Sequence, residues 1–203
     1  MVTAGLVMLN LALFLFEVGS GAQADPLLRR WGLVPADVLA SPAAWVTLLT
    51  SLFLHGGWLH LISNLLYLAV FGGSVERRLG SARYLLLYLA CGVLGGLTYV
   101  VAQPTSEAPA VGASGAIAGV IAANLVLLPG ATLGSIAPVL FFEPAANLPA
   151  LLLVVWLLAQ LFSGLSAASL TATTGIAWWA HVGGFASGLV LGPMLRPRRV
   201  GRR

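Results

Sequence analysis

Between its charged residues this chain leaves gaps that no ordinary soluble domain tolerates: 38 residues from Val38 to Val75, 23 from Tyr84 to Ser106, 35 from Ala108 to Phe142 and 52 from Pro144 to Leu195. A bilayer-crossing helix needs about 20 mostly apolar residues, so each gap has room for one and the last has room for two. Only 8% of the 203 residues are charged, against about 25% in a typical soluble domain. With the apolar N-terminal run, the pattern predicts an all-α polytopic membrane protein. One domain over residues 1–203 would carry six spans, at about 3–18, 58–74, 84–101, 112–128, 148–162 and 176–195.

The charges that remain set an orientation. The net charge is +4, with ten Arg and no Lys, and five of the Arg crowd into Arg196–Arg203. That segment reads as a basic cytoplasmic tail beside anionic lipid rather than as a nucleic-acid patch. Placing the N-terminus in the cytoplasm collects Arg77, Arg78, Arg83 and the tail on the inside and leaves only Arg29 and Arg30 outside. The expectation is a multi-pass protein of the cell (inner) membrane with both termini cytoplasmic. The single cysteine, Cys91, lies in an apolar run and reads as a small buried hydrophobe.

Residues 19–57 read as an interfacial first loop, because Asp25-Pro26, Pro35 and Ser41-Pro42 interrupt any long helix and Trp31, Trp45 and Trp58 suit the headgroup level. A helical turn is expected over Thr47–Leu54. Ala22-Gln23-Ala24 resembles a small-residue cleavage site, but Met1–Ala4 carries no basic residue, which favours a transmembrane helix over a signal peptide. Glu76-Arg77-Arg78-Leu79-Gly80 reads as a charged turn, residues 131–147 as a loop partly in the interface, and Ser163–Gly175 as an uncharged run of small residues.

Polar side chains inside a membrane are costly, which makes them candidates for function. Under this topology Ser114 and His181 lie about three and five residues into their spans, and His60 and Asn64 about two and six into theirs, all entered from outside. At 1.5 Å rise per residue these depths are roughly 3–9 Å, one layer near the external face. The layer has the parts of an acyl-transfer site. A serine hydroxyl becomes nucleophilic when a neutral imidazole takes its proton, so Ser114 and His181 are a candidate pair. Developing oxyanion charge needs donors fixed in advance: the free backbone N–H at the start of the Ser114 span, with His60 and Asn64 sharing one helix face at i and i+4. Gly115 to Gly119 and Gly184 to Gly188 are small-xxx-small patterns that let two helix backbones approach closely, as a short Ser–His contact requires. None of the six carboxylates is placed to orient His181, which favours a dyad over a triad.

These residues carry a resemblance. Gly112-Ala113-Ser114-Gly115 opening a span, His60-Leu-Ile-Ser-Asn64 on an earlier one and Ala180-His181-Val-Gly-Gly184-Phe-Ala-Ser-Gly188 on the last resemble the rhomboid family of intramembrane serine proteases, in order and over nearly the whole chain. The resemblance implies a six-transmembrane-helix rhomboid-like bundle with Ser114 as nucleophile and His181 as general base and acid. It implies His60, Asn64 and the Ser114 N–H as oxyanion stabilisers, Gly112 as the residue that keeps the oxyanion approach clear, and a structural role for His55. It also implies a cap over the site at Ser163–Gly175, a substrate-side gate around Trp156, transmembrane proteins as substrates and the lipid bilayer as surroundings. Two departures stand out. A Trp-Arg pair common in the family's first loop is Trp45-Val46 here, and an aromatic four residues after the serine is Ala118, so the expectation is that His181 is held either less tightly or by another ring such as Trp178 or Trp179.

Other readings are a catalytically silent relative that binds transmembrane helices, a metal protein using the three histidines, and a transporter. The last two lack, respectively, a carboxylate or thiolate beside the histidines and both internal repeats and membrane-embedded charge. No metal, cofactor or nucleic acid is called for.

Overall fold

The computed structural model describes residues 1–130, 151–156, 158–160 and 177–197. Within them the chain forms helices joined by short connections, with one isolated antiparallel bridge between Leu33 and Ala110. The long elements are α1 (Val2–Gly19), α5 (Trp58–Tyr67) running through a wide π turn (Leu68–Gly72) into α6 (Gly73–Leu79), and α7 (Ser81–Ala102). Val2–Gly19, Trp58–Leu79 and Ser81–Ala102 are each long and apolar enough to cross a membrane. They are followed by α8 (Ser114–Leu127), by helical residues 151–156 and 158–160 (α9), and by α10 (Trp178–Met194). The expected loop at 131–147, the cap at Ser163–Gly175, the outer parts of the fifth span and the end of the basic tail lie outside the described residues.

The region from residue 19 to 57 has no long helix but a series of short helical pieces: α2 (Ala24–Trp31), α3 (Pro35–Ala40), a 3-10 turn at Pro42–Val46, then α4 (Thr47–Thr50) and a second 3-10 turn at Ser51–Phe53 where a helical turn was expected. The prolines that argued against a long helix sit in first turns, where a missing N–H costs nothing; Pro35 and Pro42 open their elements. Leu33, Val38 and Leu48 pack this region onto Val100 of α7, and the Trp45 indole N–H donates to the Val38 carbonyl at 3.2 Å. The loop is thus anchored without an arginine at position 46.

Two links carry that anchoring toward the start of α8. Leu33 and Ala110 exchange both backbone hydrogen bonds (2.9 and 2.8 Å), and the Gly112 N–H donates to the Ser51 carbonyl at 2.9 Å. α8 itself is buried on all sides from Gly115 to Asn124, which accounts for its lack of any polar face. Glycines let its neighbours approach. A Cβ at Gly188 would overlap the Gly119 carbonyl, one at Gly119 would overlap the Cys91 side chain of α7, and one at Gly192 would stand 3.0 Å from Ala123 Cβ.

Glu76 differs from its reading as a charged turn residue. It is buried in the first turn of α6 and accepts hydrogen bonds from the Val2 and Thr3 N–H groups (2.7 and 2.9 Å), the Thr3 hydroxyl (2.7 Å) and the Ser81 hydroxyl (2.6 Å). A carboxylate from another helix therefore satisfies two of the free donors at the start of α1 and faces the positive end of its dipole. These bonds bring the start of α1, α6 and the start of α7 together at one end of the bundle. At the opposite end, Glu17 of α1 accepts the His55 N–H at 3.2 Å, just ahead of α5.

Candidate active site

Ser114 is the first residue of α8, so its N–H has no acceptor within the helix. Its Oγ lies 2.7 Å from Nε2 of His181 in the first turn of α10. The contact exists because α8 and α10 touch backbone to backbone directly beneath it: a Cβ at Gly115 would meet the Ala180 carbonyl at 3.3 Å, and one at Gly184 would overlap the Gly115 carbonyl. The small-residue patterns read from the sequence are this seam.

His60 and Asn64 lie one turn apart on α5 and face the same point. A Cβ on Gly112 would stand 2.5 Å from His60 Nε2 and 3.6 Å from Asn64 Nδ2. Gly112 adopts φ +123°, a conformation that L side chains rarely take, so this position requires glycine on both counts. Asn64 is buried, and its Nδ2 has no hydrogen-bond partner among the described residues. An unpaired buried donor is costly unless something else occupies it, and here it faces the space two residues ahead of Ser114.

These groups share one cavity of about 840 Å³, lined by His60, Asn64, Ser114, Trp156, Gln160 and His181 among others. Gln160 had no signal in the sequence. Its Oε1 lies 3.0 Å from His181 Nδ1, and its backbone carbonyl accepts the Trp178 indole N–H at 3.1 Å. Of the two alternatives for His181, a ring contact from Trp178 or Trp179 is not found among the described residues. Those two rings pack against each other at 4.7 Å, and Ala118 is fully buried in α8.

His55 stands behind the cavity. It is buried and makes edge contacts with Phe14 (6.4 Å) and His60 (5.2 Å). Burial, with His60 alongside, pushes its pKa down to about 4. Among the described residues no group of three or more His, Cys, Asp or Glu side chains is placed to hold a metal ion.

Comparison with known proteins gives these positions a context. The model of the Rhomboid domain matches residues 42–198, which include every residue placed in the cavity above. Rhomboid protease GluP of Bacillus subtilis (strain 168) is 40% identical over 115 residues, covering 57% of this chain and 22% of that protein. The putative rhomboid protease YdcA of the same organism is 38% identical over 84 residues, 41% of this chain and 42% of its own length. Inactive rhomboid protein 1 of Drosophila melanogaster is 35% identical over 112 residues, 55% of this chain and 8% of that protein. The chain thus spans less than half the length of each of these relatives.

Proposed function

Because the chain is an integral membrane protein of the rhomboid family, we propose that it is an intramembrane serine endopeptidase that cuts a peptide bond in or beside the transmembrane helix of a membrane-protein substrate. The observation that carries the reading is the 2.7 Å contact between Ser114 Oγ and His181 Nε2 inside a cavity. Ser114 Oγ attacks the scissile carbonyl carbon while its proton passes to His181 Nε2. The oxyanion takes hydrogen bonds from the Ser114 N–H, Asn64 Nδ2 and His60 Nε2, with Gly112 leaving the approach open. The tetrahedral intermediate expels the amine, which leaves with the proton from His181. A water molecule, deprotonated by His181, then attacks the acyl ester and releases the carboxylic acid with Ser114 restored.

Residues 1–203 act in this reading as one membrane domain, in the cell membrane with both termini cytoplasmic and the cavity facing outward. A transmembrane helix hides its carbonyls in hydrogen bonds, so the cut segment must first unwind, and small or helix-breaking residues are expected near it. A catalytically silent, helix-binding role is the second reading, favoured by the match to a relative named inactive. Labelling of the detergent-solubilised protein with a fluorophosphonate separates the two. The parent is expected to label, and Ser114→Ala and His181→Ala are not. An unlabelled parent supports the silent reading, and equal labelling of all three ends the proposal.

A further inference from the structure

We infer that Gln160 is a positioning residue for the proton transfer: its carboxamide oxygen holds Nδ1–H of His181, so that Nε2 presents its lone pair to Ser114. The inference rests on the hydrolase reading of Ser114 and His181. A neutral imidazole has one N–H and one lone pair, and the partner of one nitrogen decides the state of the other. Oε1 of Gln160 can only accept, so at 3.0 Å from Nδ1 it selects the form in which Nδ1 carries the hydrogen. That is the form in which Nε2, 2.7 Å from Ser114 Oγ, can take the serine proton. The reverse tautomer would point an N–H at the hydroxyl and leave no base.

The placement of Gln160 is itself fixed. Its own carbonyl is held by Trp178, the Tyr67 hydroxyl donates to the Leu152 carbonyl on the same helix at 3.1 Å, and Trp156 stacks on Phe185 at 5.4 Å. When the proton reaches Nε2 the ring becomes cationic, and the negative end of the amide dipole already faces its Nδ1–H. A carboxylate would do this more strongly, but an ionised partner is expensive to keep at membrane depth. Among the described residues no carboxylate contacts His181, and no ring stacks on it.

The test is the rate of fluorophosphonate inactivation of the purified full chain in detergent, resolved into its maximal rate and its half-saturating concentration. Gln160→Leu, which removes the acceptor at similar size, is expected to lower the maximal rate about 10- to 100-fold, the size of effect that losing an orienting partner has on a metal-bound histidine. The half-saturating concentration should stay within about twofold, because probe binding does not need the amide. Gln160→Glu keeps the acceptor and is expected to restore most of the rate, which a purely space-filling role would not predict. If the leucine variant does not fold, Gln160→Met carries the same comparison. A leucine or methionine variant as fast as the parent, or a glutamate variant as slow as the leucine one, overturns the inference while leaving the hydrolase reading standing. A parent that does not label, or labels equally after Ser114→Ala, overturns the hydrolase reading itself.

Discussion

Gly184 has no room for a side chain, because a Cβ there would fall on the carbonyl oxygen of Gly115. Gly115 follows Ser114 directly and Gly184 comes three residues after His181, so this one contact sets the distance between alcohol and imidazole. Gly184→Ala is expected to cost about 1–3 kcal/mol of stability, as overpacking does, and to abolish fluorophosphonate labelling. Gly5→Ala, where a Cβ meets nothing within 4 Å, should leave both unchanged. Thermal melting in detergent beside the labelling assay checks the pair.

Gly112→Ala tests the space around the oxyanion. The added methyl would press on His60 Nε2 and require a rarely adopted backbone conformation. Labelling should fall by about 10²–10³, the usual cost of disabling one oxyanion donor, and Asn64→Ala should fall by a similar factor. Equal labelling of either variant and the parent would remove these groups from the mechanism.

Glu76→Gln should destabilise the chain without touching the cavity. The substitution replaces charge-assisted bonds to the start of α1 with neutral ones and turns one acceptor into a donor facing donors. A loss of about 1–3 kcal/mol is expected, read as a lower melting temperature, with labelling of the folded fraction retained.

His55 predicts an acid sensitivity. In the folded chain it stays neutral down to about pH 4, whereas an exposed imidazole takes its proton near pH 6.5. Between those values the unfolded state binds a proton that the folded state refuses, so stability is full above about pH 6.5 and falls as the pH drops toward 4. Melting temperatures of the parent and His55→Phe from pH 7 to pH 4 check this: the phenylalanine variant should lose less stability over that interval. Equal slopes would refute the assignment.

The parts of the site that could be read in the chain are those whose spacing is local or whose depth follows from the charge gaps. His60 and Asn64 share a helix face by their separation, and Ser114 and His181 were placed at one height by counting from the nearest polar loops. Gln160 escaped because a lone amide in an apolar helix has no periodic relation to a histidine 21 residues away. Glu76 escaped for a similar reason: its partners at the start of α1 are more than 70 residues distant, and a charge beside two arginines looks solvated. In the first loop the helical turn near Thr47 was legible, but the short helices at Ala24–Trp31 and Pro35–Ala40 were not, because proline marks a helix start as readily as an interruption.

Cys91 lies fully buried where α7 meets Gly119 of α8, and the chain has no other thiol. The wild-type chain therefore carries a silent reporter at its centre. A maleimide dye added to the folded protein should find nothing to modify, and the rate at which it eventually reacts would time the parting of those two helices, with no engineered label needed.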